Sequence, residues 1–374
     1  MRLRLPCRSA FVFAIVLWLS AGLAAQPGRT AAERDLAALA RLTDDDRLAL
    51  GTPGLAAAVV VGESIVWAQG FGLADLEQGV PVRPESVFRI ASISKPIAAT
   101  AVMQLVERGL VSLDDPIQRF VPTFPRKAAG EIRIRHLLTH TSGIRHYRGN
   151  EMNSRDAYPS VERALSVFRN DPLLFAPGER YAYSTYGYNL LAGVVEAASG
   201  RSFEDYLRLN VFGPAGMTST FLERPQEVIR WRARQYVRGP LAGTWLQAPY
   251  VDLSVKWAGG GMISSVLDLA RFDIALNTGR LLRPETVERM YVSGRLNNGG
   301  YTGYGLGWMV SQEGGRLRVA HSGGATGGTT YILREPRTRL ASVILTNLDN
   351  VPRLRELAEQ LLALAPRPMA LTTR

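Results

Sequence analysis

The chain predicts an α+β fold: an antiparallel sheet built from both chain ends and flanked by helices, with an inserted mainly helical domain. Two patterns predict it. Strand-like apolar runs cluster before residue 75 and after residue 303, whereas the stretch between them carries helical periodicity interrupted by prolines. Neither an internal repeat nor a low-complexity linker separates the ends, so the economical arrangement joins the terminal strands in one sheet. The implied organisation is a leader over 1–25, a sheet domain from 30–85 and 300–365, a helical domain over 86–299, and a loose tail over 366–374.

Taken in order, residues 30–50 are rich in Ala, Leu, Arg and Asp and read as a helix. Residues 55–61 and 64–73 read as strands joined at Gly62-Glu63, a hairpin signal. Over 91–109, Ile93, Ile97, Ala101, Leu105 and Val106 repeat at helical spacing, and Gly109 stands at the end. Pro96 is tolerated only near a first turn, so this helix should begin close to Ser92. Residues 112–180 carry prolines at 116, 122, 125, 159, 172 and 177 and fit short helices and loops. A helix over 189–199 is stopped by Gly200, and short helices continue to about 290, one of them over 266–276. From Gly303 the pattern changes: 304–310, 317–321, 329–333 and 341–345 read as strands, and 354–364 as a closing helix.

With 374 residues, 46% hydrophobic and 21% charged, the chain can bury a large core and is not a disordered polymer. Its formal charge is +11. Arg2, Arg4 and Arg8, then an apolar run over 11–19, then Ala21-Gly22-Leu23-Ala24-Ala25 have the order of a secretory signal. The expectation is export to a periplasm or medium, or a membrane anchor if the segment is retained; the apolar run is short for a span of roughly 20 residues. Cys7, the single cysteine, lies in that leader, so the mature chain has no disulfide, thiolate metal site or cysteine nucleophile. The basic excess is dispersed, densest at Arg230-Trp231-Arg232-Ala233-Arg234, and reads as solvated surface rather than a nucleic-acid module.

Ser92-Ile93-Ser94-Lys95 is the most informative short segment. A Ser and a Lys three apart share one helical face, which places a hydroxyl nucleophile beside an amine base. The chain holds three lysines, at 95, 127 and 256, against 41 arginines. Arginine cannot release its proton near neutral pH, whereas a desolvated lysine can, so a lysine kept in so arginine-rich a chain points to chemistry. Ser94 adjoins Lys95 but, as a helical neighbour, does not face it.

Two later segments complete a pattern: Tyr183-Ser184-Thr185, and His321-Ser322-Gly323-Gly324 at the end of an expected strand. Together with Ser92-Ile93-Ser94-Lys95 they resemble the S-x-x-K, Y-x-N and K-T-G or H-x-G motifs of the serine beta-lactamase and penicillin-binding-protein superfamily, in its Tyr-containing, class C-like form. His136-Leu137-Leu138-Thr139-His140-Thr141-Ser142-Gly143-Ile144, Gly259-Gly260-Gly261-Met262-Ile263-Ser264-Ser265 and Tyr304-Gly305-Leu306-Gly307-Trp308 are phrases of the same family, spanning about residues 50 to 347. Gly143-Ile144-Arg145-His146-Tyr147 and Tyr183 to Tyr188 look most like the LACTB-type serine proteases and their bacterial relatives.

The resemblance implies a beta-lactamase/transpeptidase-like fold and an acyl-enzyme on Ser92, with Lys95 helping to deprotonate it and Tyr183 passing a proton to the leaving group. Backbone N–H groups of Ser92 and Gly324 would form the oxyanion hole, and Thr185, His321, Ser322 and Gly323 would contact substrate. No metal or cofactor is implied, and the partner is a small-molecule or peptide substrate. Two positions depart from the pattern. Thr185 replaces the amide residue that normally helps bind the acyl side chain of a beta-lactam. His321 replaces the lysine of K-T-G, exchanging a permanent charge for one that depends on pH.

Other readings of the conspicuous residues are structural. His136 and His140 have the spacing of a metal pair, but Leu137 stands where a zincin carries its Glu. Tyr181, Tyr186 and Tyr188 read as packing residues, and Gly259-Gly260-Gly261 as a close backbone approach rather than a phosphate loop. The expected activity is hydrolysis of an amide or ester by a peptidase, D-amino-acid peptidase, esterase or beta-lactamase. The rival reading is a non-catalytic peptidoglycan-binding or self-assembling scaffold of the same fold.

Overall fold

The computed structural model describes residues 31–365; the leader over 1–25 and the tail over 366–374 lie outside the described residues. Helix α1 (Ala31–Ala49) precedes the hairpin of β1 (Gly54–Val61) and β2 (Ser64–Asp75), and β3 (Val80–Pro81) follows. Gly62 takes φ +65° in the hairpin, a conformation that costs glycine nothing. Short strands β4 (Phe88–Arg89), β5 (Phe221–Leu222), β6 (Tyr236–Arg238), β7 (Trp245–Gln247) and β8 (Met262–Ser264) lie in the middle of the chain. The last third supplies β9 (Met309–Glu313), β10 (Arg316–Ala325), β11 (Gly328–Glu335) and β12 (Leu340–Thr346).

The main sheet runs β3-β2-β1-β12-β11-β10-β9, with its neighbouring strands antiparallel. Strand β1 from the beginning of the chain pairs with β12 from its end, Leu55 opposite Thr346 and Val61 opposite Leu340. The expected sheet built from both ends is therefore observed. Leu55, Ala57 and Val59 face the terminal helices, where Leu39 of α1 and Leu354, Leu357 and Leu361 of the closing helix Leu354–Ala363 join them. Ala56, Ala58 and Val60 face the other way, into the larger core shared with the mid-chain helices. A strand buried on both faces reads as a continuous apolar run, and each fully buried Leu or Val contributes about 1.5–3 kcal/mol.

Three elements differ from expectation. Residues 304–308 are loop, and β9 begins only at Met309. Gly305 and Gly307 bring this backbone against its neighbours: a Cβ at Gly305 would lie 2.2 Å from the Met290 carbonyl oxygen, and one at Gly307 2.5 Å from Ala99 Cβ. The helix expected at 189 starts four residues earlier, as Thr185–Ser199, because the Ser184 side chain caps it by accepting the Gly187 N–H at 3.2 Å. The three-stranded sheet β4-β8-β5 within the helical stretch has strands of two and three residues, too short to show a period.

Buried polar links fix these layers. The Arg334 guanidinium on β11 donates to Asp273, Tyr291 and Asn277, tying the sheet to the helix Val266–Asn277. Arg89 on β4 pairs with Glu223 at 2.8 Å and donates to the Thr326 carbonyl at 2.8 Å, which holds the β10–β11 turn over the start of the next segment.

Candidate active site

That next segment is a 3₁₀ turn over Ala91–Ile93 running into α2 (Ser94–Glu107). Ala91 enters it at φ +47°, a strained value for a residue with a Cβ. The strain is held by β8 on one side, where Ile90 N–H donates to the Met262 carbonyl at 3.0 Å. On the other side the Thr330 hydroxyl donates to the Ile90 carbonyl at 3.1 Å. Ser92 remains partly exposed between buried neighbours. Ser94 is fully buried and spends its hydroxyl on the Ala91 carbonyl at 2.6 Å, which removes it as a nucleophile.

Lys95 sits one turn further on, fully buried. Its Nζ lies 2.6 Å from the Gly259 carbonyl oxygen, 3.2 Å from Thr185 Oγ1 and 3.0 Å from Ser92 Oγ. Burial, reinforced by the charge of Lys256, holds its pKa well below the usual lysine value. A neutral amine has two N–H donors and one lone pair. With the proton off, Gly259 and Thr185 can take the two donors, which leaves the lone pair for the Ser92 hydroxyl; with the proton on, Nζ donates all three contacts.

Tyr183 leans on this pair. Its hydroxyl is in hydrogen-bond contact with Ser92, and its ring centroid is 4.6 Å from Lys95 Nζ. Burial pushes the phenol far above its usual pKa, so it is a proton-bearing group rather than a phenolate. His140 packs on the same ring, centroids 4.2 Å apart, and its Nδ1 accepts the Ser184 N–H at 3.1 Å. Tyr186 and Tyr188 are fully buried, as expected of packing residues, while Tyr181 is 40% exposed.

Thr185, read from the motif as a substrate contact, is buried, and its hydroxyl meets Lys95 and the Tyr147 side chain instead. The triple glycine is the close approach expected: a Cβ at Gly259 would lie 2.5 Å from Thr185 Cγ2.

Strand β10 forms the opposite wall. In its register with β11, Ala325 and Gly328 close a two-residue turn, so Ser322 and Gly324 turn their backbone groups away from β11. Strand β9 pairs only as far as Ala320, so the edge beyond it is unpaired by β9. Ser322 and Gly324 are exposed there. Gly323 points inward, where a Cβ would lie 2.4 Å from the Ile90 carbonyl oxygen and 3.2 Å from Ala91 Cβ; only glycine lets β10 lie so close to the Ser92 turn. The Ser92 N–H, in the first turn of its helix, belongs to the donors that helical bonding leaves free.

His321 departs from its expected role. It is buried, with Nε2 2.9 Å from the Tyr304 hydroxyl and Nδ1 2.7 Å from the Ser322 carbonyl oxygen. A carbonyl only accepts, so Nδ1 carries the proton and Nε2 accepts from Tyr304. Burial pushes its pKa down to about 3, so no pH-dependent cation faces a substrate at ordinary pH.

The other histidines are also held neutral. Burial lowers His136 and His146 to about 4 and His140 well below its usual value. The unfolded chain binds these protons near pH 6.5 and the folded chain does not, so stability must fall as pH drops through that value. Between pH 7 and 5, unfolding is expected to take up an increasing number of protons, approaching about four. Urea unfolding at stepped pH measures this, and a flat stability over the window contradicts it.

Sequence reasoning missed the parts played by Tyr147 and Lys256. Tyr147 belongs to the Gly143–Tyr147 motif, but the motif gives it no role of its own, and Lys256 carried one signal, its rarity beside 41 arginines.

The beta-lactamase family profile matches residues 32–366. The chain is 32% identical over 397 residues to the human serine beta-lactamase-like protein LACTB, mitochondrial, covering 81% of this chain and 71% of that protein. It is 34% identical over 304 residues to penicillin-binding protein 4* of Bacillus subtilis, covering 77% and 66%. Among solved structures, the octameric penicillin-binding protein homologue from Pyrococcus abyssi superposes with a TM-score of 0.77 at 28% identity, covering 88% of this chain and 77% of that one.

Proposed function

The chain belongs to the beta-lactamase family, and we propose that it is an exported serine hydrolase that cleaves an amide or ester bond through an acyl-enzyme on Ser92. The observation that carries this reading is the placement of Lys95 Nζ, 2.6 Å from the Gly259 carbonyl, 3.2 Å from Thr185 Oγ1 and 3.0 Å from Ser92 Oγ, so that its uncharged form can spend both donors on the first two and turn its lone pair to Ser92. In that state the amine is a general base already aimed at its proton, a contribution of roughly 10²–10⁴-fold.

The reaction follows from the placement. Lys95 takes the Ser92 proton as Oγ attacks the carbonyl carbon. The tetrahedral oxygen is met by the Ser92 and Gly324 N–H groups, each worth on the order of 3 kcal/mol. As the bond to the leaving group breaks, Tyr183 gives its proton to that group and is reprotonated by the Lys95 ammonium. Water, deprotonated by the same pair, then releases the acid and free Ser92.

The preferred substrates are peptides, including those with D-amino acids, ahead of carboxylic esters and beta-lactams. The free β10 edge at Ser322 and Gly324 can pair with an extended main chain. The neutral His321 offers no fixed charge to the carboxylate of a lactam, and Thr185 offers no amide to its side chain. Export rests on the order of charged, apolar and small residues over 1–25.

Intact-mass measurement after exposure to a fluorophosphonate, with peptide mapping, tests the reading. Phosphonylation of Ser92 Oγ with loss of fluoride is the expected result. A folded sample without an adduct overturns the reading and favours a binding or assembly role.

A further inference from the structure

Lys256 is the buried titratable side chain closest in kind to the catalytic base, and the reaction above does not use it. It is 3% exposed, and its Nζ donates to the Met152 carbonyl at 2.7 Å. Its aliphatic stem lies behind the nucleophile: a Cβ built at Gly260 would stand 3.4 Å from Lys256 Cδ and 3.8 Å from the Ala91 carbonyl carbon. Only a glycine thus separates this side chain from the residue before Ser92. Its Nζ lies 5.5 Å from the Tyr147 ring centroid, and Tyr147 reaches Thr185, whose Oγ1 accepts from Lys95. Two of the three lysines of an arginine-rich chain therefore meet around one pair of hydroxyl side chains.

The charges around Lys256 leave it as the excess cation. Arg89 and Glu223 face it from β4 and the β5 end, but they are spent on each other at 2.8 Å. Glu151, on the loop beyond, is held by Arg145 at 2.6 Å. His146 is kept neutral by burial, with the charge of Lys256 adding to it. Among the described residues no carboxylate forms an ion pair with Lys256, so its charge acts on Lys95.

We propose that Lys256 is a positioning residue of this site: its ammonium, anchored on the Met152 carbonyl behind the Tyr147–Thr185 link, keeps Lys95 in the uncharged form that accepts the Ser92 proton. Two amines in one water-poor pocket cannot both hold a charge cheaply; each rests on a carbonyl, and Lys95, the more completely buried of the two, gives up its proton first. Burial brings Lys256 itself down to about 7, so it carries its charge through the acidic range and begins to lose it at neutrality, and the acid limb is where its effect on Lys95 is read. The inference rests on the reading of Ser92 and Lys95 given above.

The experiment is the rate of Ser92 phosphonylation by a fluorophosphonate from pH 5 to 9, followed by intact mass, for wild type and three variants. Lys256→Met is expected to move the acid limb of that profile upward by about one pH unit, because Lys95 now keeps its proton longer. Lys256→Arg retains the charge and should leave the limb in place. Lys256→Gln keeps a donor for Met152 without charge, and it should shift the limb as Met does; it carries the test if the Met variant fails to fold. A merely structural role lowers the rate equally at every pH, with the limb fixed and Gln restoring it. That result overturns the inference while leaving Ser92 labelled and its role intact. A folded wild type that gives no Ser92 adduct overturns the inference and the underlying reading together.

Discussion

Ser92→Ala is expected to abolish covalent labelling and to lower hydrolysis of any accepted amide or ester by a factor on the order of 10⁴ or more, the scale seen when a nucleophile that works with its base as a unit is removed. The loss should be nearly pure chemistry. Ser92 is partly exposed, and the hydrogen bonds that build its turn come from Ser94, Ile90 and Thr330 rather than from its own side chain. Thermal unfolding of the variant should therefore stay close to wild type. Steady-state hydrolysis of a panel of nitrophenyl esters and amino-acid anilides provides the measurement. Wild-type turnover in the alanine variant would place the chemistry elsewhere.

Lys95→Arg is the second large effect. The substitution keeps a positive charge and is mild on a surface, but here it should reduce turnover by roughly 10²–10⁴-fold, the contribution of a positioned base. A guanidinium stays protonated near neutral pH and has no lone pair to offer Ser92. It would also place a longer, planar group in a fully buried pocket with three oxygens within 3.2 Å of the native nitrogen. Single-turnover acylation isolates the step: a slowed acylation at every pH is the expected outcome, and full turnover would show that proton transfer does not pass through residue 95.

How much of the molecule is legible in its chain differs from residue to residue. Ser92 and Lys95 can be paired from sequence because their contact is local: one helical turn places them 3.0 Å apart. The sheet of both termini is legible because β1 and β12 are buried on both faces, β1 as an unbroken apolar run and β12 as one interrupted only by Ser342 before it ends at Thr346. The 304–308 loop is misread because its aromatic and apolar residues mimic a strand, while the reason for its irregular path is the Met290 backbone and Ala99 packed against Gly305 and Gly307.

The sequence alone determined which groups are available: one Ser–Lys pair on a helix start, a tyrosine and a glycine-rich strand to oppose it, and a sheet to hold them. Tertiary structure decided what state those groups are in. His321 looked like a titrating cation and is a buried neutral ring hydrogen-bonded to Tyr304. Thr185 looked like a substrate contact and is an acceptor for Lys95. The partners that fix the Lys95 amine, Thr185 and Gly259, lie 90 and 164 positions away. Proton affinity is set by how much water is excluded and by which charges and dipoles stand within a few ångströms, and only the folded chain brings those together.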